Sequence, residues 1–519
     1  MSHDPIAETS PDAGVASENQ ERRPVRRALD RLDRTTSVFI VLSLLFGGFF
    51  ALAVPIGWGP DETAHFDRAY QVASGGFAPE RLPDSDGLPQ YGGRVPRSAV
   101  DLVRYAGPPR QYRGAWQPLV QQDPAFAAAA SRPLDSPLVV TAFPNTAAYS
   151  PVAYLPAAAA VEIGRALDLS VGHTWTLMRL VQVLLYTVVA GVGVFALRRN
   201  PFRWVVLAVA LLPTAVYQSG VVSADAVTNA VVLTYLALLT RVLMLTPRDD
   251  RPVARRWVLG IVLACALVLP LLKPTYAILL LLLLALPFTR RDEDGRRRVR
   301  RNLVVPVASV VVVAAVALLW WSRLSAGTAD AMGWLRQPSQ RHLVQPGNQL
   351  AFVLSHPVDA VGIGLRTLLT LDWSYVSSFF GQLGYAPGGN LSAPALGAVC
   401  TLVVVGLGLA YGTRRRIARW RTAGMTLVWL ASVAAVFGTL YLAFSPLRLP
   451  IVTGVQGRYF VPLTVLLCAV LLQLLPRMRR VTPTALRRSE IAVFALCAAA
   501  LVLAAVKYVT VMYVPGYHA

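Results

Sequence analysis

The sequence predicts an all-α polytopic membrane protein with about 11 transmembrane helices, and three observations carry that expectation. Hydrophobic residues make up 55% of the 519-residue chain and charged residues only 15%, against roughly 25% charged in a soluble protein. Mean hydropathy is +0.50, and many apolar runs reach about twenty residues, the length a helix needs to cross a bilayer. The net charge of +21 sits in short basic clusters between those runs. That is the signature of cytoplasmic loops, not of a nucleic-acid surface, so no nucleic-acid partner is expected.

Taken in order, residues 1–36 are polar and read as a disordered cytoplasmic tail. The first apolar run, 37–56, begins far from the N-terminus and lacks a small-residue cleavage site, so it is expected to remain as the first span. Arg22, Arg23, Arg26, Arg27, Arg31 and Arg34 precede it and place the N-terminus inside. Residues 57–174 then form a large first external loop with two juxtamembrane helices. The first starts near Asp61 and stops at Gly75-Gly76. The second occupies about 150–169. The Pro/Gly-rich stretch 77–144 between them reads as an irregular loop without a folded domain. A spanning second helix would put the basic clusters at 198–203, 251–256 and 290–301 outside, so it is assigned to the interface.

Further spans are expected at about 175–197, 203–219, 224–246, 257–272, 274–289, 303–322, 394–411, 424–444, 459–476 and 489–510. The stretch from Leu269 through Pro270 to Lys273-Pro274 splits one long apolar run at a tight external turn. A second large external loop covers 323–393, and 511–519 form a short external tail, which bounds the transmembrane domain at 37–510. Cys265, Cys400, Cys468 and Cys497 all lie in apolar runs without metal-ligand spacing and read as small hydrophobes.

Under this topology the unusual polar residues gather on the external side, where ionisable groups at membrane depth mark a site. Asp61, His65 and Arg68 fall at i, i+4 and i+7 of one helix face. Asp61 has two readings: a helix cap, or a general base taking a proton from an acceptor hydroxyl. Glu62 is either a favourable charge near the helix start or a helper in substrate or metal binding. His65 is a helix-face hydrogen-bonding partner or a ligand. Arg179, Lys273 and Arg458 can each snorkel to headgroups, or together hold a phosphate. Gln456 and Tyr459 flank Arg458 in a turn whose glycines let the backbone approach a ligand. Asp225 opens a span, as a helix-end charge or as part of the site. His342, His356 and Asp372 in the second loop read as structural.

The motifs Pro60-Asp61-Glu62 with His65, Tyr149-Ser150-Pro151 with Tyr154-Leu155-Pro156, Ser223-Ala224-Asp225, Lys273-Pro274 and Gln456 to Phe460 resemble a bacterial membrane family catalogued as domain of unknown function 2142. The resemblance covers about 38–478. That family in turn resembles the GT-C class of integral membrane glycosyltransferases, which use polyprenyl-phosphate-linked sugars on the external side. By that resemblance Asp61 is the catalytic base with Glu62 assisting. Arg179, Lys273 and Arg458 meet the lipid phosphate, and Asp225 shapes the site. A polyprenyl-phosphate sugar, an envelope glycan, glycolipid or protein acceptor, and membrane lipid are the implied partners, in a bacterial plasma membrane. A divalent metal, Mg or Mn, is left open, because metal use differs within the class. The other readings are a carrier or flippase for a lipid-linked glycan and a non-catalytic partner in envelope assembly.

Overall fold

A computed structural model describes residues 33–106, 124–245, 252–288, 290–291, 297–298, 300–370, 373–381, 383–384, 393–412, 417–476 and 482–514. The basic clusters at 413–416 and 477–480, Asp372, most of the N-terminal tail and the last five residues lie outside the described residues. The chain is a helical bundle topped at one end by two polar loops.

Helix α1 (Arg34–Ala53) starts where the Asp33 carboxylate accepts from Thr35 N at 3.1 Å and Thr36 Oγ1 at 2.5 Å. It ends before Val54-Pro55, since proline disfavours helix in the residue preceding it. A short turn leads to α2 (Glu62–Ala73), whose buried side includes Phe66, Ala69 and Tyr70. The described parts of the 77–144 stretch, 77–106 and 124–144, depart from expectation, because they carry regular strands and helices. Strands β1 (Glu80–Ser85), β2 (Leu88–Pro96) and β3 (Leu138–Ala142) form an antiparallel sheet in that order. Helices α3 (Arg97–Ala106) and α4 (Pro124–Ala130) accompany it. The all-α expectation holds for most of the described residues and is corrected by two small sheets, this one and the antiparallel pair Arg290–Arg291 with Arg297–Arg298. Pro/Gly composition marked the turns, and the alternation in the strands is too short to stand out beside them.

After a 3-10 turn at Pro151–Tyr154 comes α5 (Leu155–Ala166). Its 12 residues rise about 18 Å, short of a hydrocarbon core about 30 Å thick. Both α5 and α2 pack together, and α5 leans on α6 (Val171–Ala196). The expected span at 203–219 is broken at Pro213 into α7 (Arg203–Ala210) and α8 (Pro213–Ser219). Then follow α9 (Ala224–Thr240) and α10 (Pro252–Leu272). Pro270 stays inside α10, and the break falls at Lys273, before the 3-10 segment Pro274–Phe288.

Helix α11 (Arg301–Leu324) leads into the second loop, where the 3-10 segments Ala326–Leu335 and Pro338–Leu343 precede α12 (Pro346–Ser355) and α13 (Pro357–Leu369), bent by 108°. Next come α14 (Trp373–Phe380), α15 (Ala393–Tyr411), α16 (Arg419–Ala443), α17 (Thr464–Leu474) and α18 (Pro483–Tyr513).

Among the described residues six helices are long and apolar enough to cross a membrane, or seven if the bent pair is one broken span. The expected count of about eleven is not reached. The shorter apolar helices Arg256–Leu272, Pro274–Phe288, Ala395–Tyr411 and Thr464–Leu474 account for most of the difference. Composition locates an apolar run, but not whether its backbone stays in one helix.

Candidate functional site

The turn before α2 places Asp61 in a strained position. Its φ of 55° and ψ of 20° are left-handed, and its carboxylate makes no capping hydrogen bond. The capping reading of Asp61 is thereby removed. A non-glycine residue there costs roughly 1 kcal/mol, less for Asp than for most. Such strain persists where the surroundings over-determine it. Asp61 is also exposed, while its neighbour Glu62 is fully buried.

Glu62 supplies the over-determination. Its Oε1 accepts from Arg179 Nε at 2.7 Å, Trp175 Nε1 at 3.1 Å and Val222 N at 3.0 Å. Its Oε2 accepts from Arg179 Nη2 at 2.7 Å and Gly59 N at 3.0 Å. Burial alone would raise this carboxyl, but the Arg179 charge and these hydrogen bonds hold it below its ordinary value. Arg179 also donates to Ala51 O at 3.2 Å, Val54 O at 2.6 Å and Pro55 O at 3.0 Å. A guanidinium has five N–H groups, and all five are used. Two expectations are corrected here: Arg179 has no donor left for a phosphate, and Glu62 has no oxygen placed to assist catalysis. Together they lock α1, α2, α6 and the start of α9, and so fix the backbone of Asp61.

The remaining candidates come together at the same end of the bundle. Lys273 Nζ lies 3.0 Å from Asp225 Oδ1 and 4.6 Å above the Tyr459 ring. Arg458 Nε lies 4.0 Å from Asp225 Oδ2, buried and without a hydrogen-bond partner, with its guanidinium 5.4 Å from the same ring. Gln218 Nε2 adds a contact to Asp225 Oδ2 at 3.3 Å, and Tyr276 donates to Tyr459 O at 2.7 Å. The cap of α9 is Ser223, which accepts from Ala226 N at 3.4 Å, so the Asp225 carboxylate is left for the two cations.

Gln456 makes only a backbone contact, accepting from Tyr459 N at 3.1 Å. Its neighbour Gly457 corrects another expectation. A Cβ on Gly457 would sit 2.0 Å from Tyr375 O and 2.6 Å from Phe379 N. That glycine brings the backbone against α14, not against a ligand, and its N–H donates to Ser378 Oγ at 2.7 Å.

His65 joins the two groups. Its Nδ1 is 2.8 Å from the Tyr154 hydroxyl, and its ring is 6.2 Å from that of Tyr149. Burial drives its pKa down to about 4 against the opposing pull of Asp61 and Asp225, and Arg458 and Lys273 push the same way as burial. The charges of all four residues thus converge on one neutral imidazole. Arg68, expected on the face of Asp61 and His65, is instead fully buried and binds Gly76 O at 3.0 Å, Phe77 O at 2.6 Å and Tyr149 O at 3.3 Å. It anchors the backbone that carries Tyr149.

A pH prediction follows from His65. Between its folded value of about 4 and its ordinary 6.5, the unfolded chain binds more protons than the folded one, so stability falls as pH drops through this window. The loss by pH 4 is about 3 kcal/mol at ~1.4 kcal/mol per unit. Asp67 works in the opposite direction, because burial holds its carboxyl up at about 8. The reading is therefore a difference: His65→Gln should lose less melting temperature than the parent between pH 6.5 and 4. Parallel curves would show that His65 is not buried neutral.

Two site-forming residues had motif positions but no assigned role, Tyr149 and Tyr154. Trp175 and Gln218 carried no sequence signal, since each lies in an ordinary apolar run. Among the described residues no group of three or more His, Cys, Asp or Glu side chains is placed to hold a metal ion. Of the candidate carboxylates, Glu62 is engaged by Arg179 and Asp225 by Lys273, so these two do not fit the Mg or Mn site left open by the sequence.

Residues 44–467 match the family described as predicted membrane protein (DUF2142). The chain belongs to that family. With its several membrane-length helices, this DUF2142 member is a multi-pass membrane protein. No curated protein matches it, and no solved structure does.

Proposed function

We propose that this DUF2142 protein is a membrane glycosyltransferase. It moves a sugar from a polyprenyl-phosphate donor to a cell-envelope glycan, glycolipid or protein on the extracytoplasmic side of a bacterial plasma membrane. The observation that carries the reading is the charge balance beside Asp61. One carboxylate, Asp225, meets two cations, Lys273 and Arg458, so this trio by itself carries one net positive charge, with the Asp61 carboxylate kept for the acceptor. A phosphodiester monoanion matches that charge, and the Arg458 Nε still lacks a partner.

In the reaction Asp61 takes the proton from an acceptor hydroxyl. The hydroxyl oxygen attacks the anomeric carbon, and the bond from that carbon to the phosphate oxygen breaks. Polyprenyl phosphate leaves with one more negative charge, which Lys273 and Arg458 stabilise in a low-dielectric surrounding. The anomeric centre inverts, and Asp61 returns its proton to water. Neutral His65, bonded to Tyr154, adds no competing charge between base and phosphate. The short helices α2 and α5 are read as the juxtamembrane pair over which the lipid donor slides in. The basic residues Arg198, Arg199 and Arg203 at the opposite end support a cytoplasmic N-terminus.

The test uses the full-length protein in lipid vesicles with polyprenyl-phosphate hexose and pentose donors carrying a tritiated sugar. Release of polyprenyl phosphate and label in an envelope acceptor fraction is the expected result. Arg458→Gln should raise the donor KM by about 10- to 100-fold, the worth of one charged hydrogen bond. Movement of intact donor across the vesicle bilayer without release would favour the carrier reading. An envelope unchanged on deletion, with no release from any donor, would reject transfer.

A further inference from the structure

A second feature lies in the other loop. A cavity of about 900 Å³ opens at the 3-10 segments Ala326–Leu335 and Pro338–Leu343, lined by Trp334, Arg336, Gln337, Ser339 and Arg341. Among the described lining residues there are two arginines and no carboxylate. The Arg341 guanidinium lies 3.8 Å over the Trp334 ring and pairs with Asp86 of the β1–β2 turn at 2.5 Å. Arg336 sits 4.8 Å over the Phe444 ring and donates from Nη2 to Gln340 Oε1 at 2.7 Å. The Nε of each arginine is buried without a hydrogen-bond partner, and such a donor is costly unless something accepts from it.

Its position ties this cavity to the site. Arg341 fastens it to the β1–β2 turn, in the loop that carries Asp61 and Tyr149. Trp321 Nε1, just before the cavity segments, donates to Ala148 O at 2.9 Å, beside Tyr149. Phe444, under Arg336, is the first residue past α16 on the chain leading to Gln456 and Arg458. Both segments that build the site therefore flank the cavity.

We propose that this cavity binds an anionic saccharide, a glycan stretch bearing uronate or phosphate groups. It names the acceptor class and in that respect rests on the transferase reading. Arg336 offers a planar guanidinium fork to a carboxylate or phosphate, and Arg341, whose Nη1 is held by Asp86, offers its remaining edge. Gln337 and Ser339 match hydroxyls, and the half-buried Trp334, with one face taken by Arg341, leaves its other face for a pyranose. An acyl chain fits poorly, because Leu335 and Pro338 are the only aliphatic lining residues described.

The experiment is calorimetric titration of the full-length protein in zwitterionic nanodiscs with a uronate tetrasaccharide, against neutral maltotetraose. The acidic sugar should bind about tenfold more tightly than the neutral one and weaken with added salt. Arg336→Gln and Trp334→Ala should each weaken it by about tenfold, with unchanged melting temperatures, while Arg336→Lys retains part of the affinity. If Trp334→Ala does not accumulate, Arg336→Gln and the salt dependence decide. Equal binding of acidic and neutral sugars, equal affinity in parent and Arg336→Gln, or competition by phosphatidylglycerol vesicles but not by the neutral sugar would overturn the proposal. Binding in Asp61→Asn separates the two ideas: an inactive protein that still binds the saccharide supports both. A parent that transfers but shows no acidic preference sinks only this one.

Discussion

Asp61→Asn should lower transfer by about 100- to 10,000-fold, the usual worth of a general base, with normal accumulation in membranes. Asparagine is nearly isosteric and, like aspartate, tolerates the left-handed region, so the φ of 55° that Asp61 adopts remains accessible. The side chain makes no capping hydrogen bond to α2, so none is lost with its charge. The measurement is sugar release in vesicles, alongside protein level and melting temperature. A stable protein with undiminished transfer would remove Asp61 as the base and leave the strained backbone without a catalytic purpose. Asp61→Ala is a weaker test, because alanine lacks the polar side chain that eases a positive φ, and lost stability would mix with lost chemistry.

Glu62→Gln should have the largest effect on stability. It leaves the Arg179 guanidinium, itself 2% exposed, without its counter-charge, and breaking a buried pair from one side costs about 3–5 kcal/mol. The protein should accumulate poorly or melt far below the parent. Replacing both partners, Glu62→Leu with Arg179→Met, should recover much of the loss, since a buried pair exchanged for apolar side chains is often near neutral. The recovery is partial because Gly59 N and Val222 N also lose their acceptor. If Glu62 belonged to the chemistry, Glu62→Gln would give a stable, inactive protein, and the double variant would gain nothing. That outcome would reverse the positional reading.

These two neighbours show where sequence reading stops. Pro60-Asp61-Glu62 holds two adjacent carboxylates at a helix start, and on chemistry alone either serves as base. Only the fold separates them, turning Glu62 inward onto Arg179 and leaving Asp61 exposed. Three basic residues near helix ends were equally alike in the sequence. Arg179 proved to be saturated by α1 carbonyls and Glu62, whereas Lys273 and Arg458 share Asp225. Partners from 48 to more than a hundred residues away decide such cases, and local spacing carries no record of them.

Composition alone determined that this chain is helical and multi-pass, because burying backbone polar groups in hydrocarbon admits few alternatives and apolar runs are visible residue by residue. The sequence located the break at Lys273-Pro274, since proline acts on its nearest neighbour, and it marked Asp61, His65, Asp225, Lys273 and Arg458 as candidates. The three-stranded sheet, the split at Pro213, the bend of α12 against α13, the close packing of Gly457 on α14 and the division of Asp61 from Glu62 were decided only in the tertiary structure. Each depends on contacts between segments far apart in the chain, whose energies no local pattern contains.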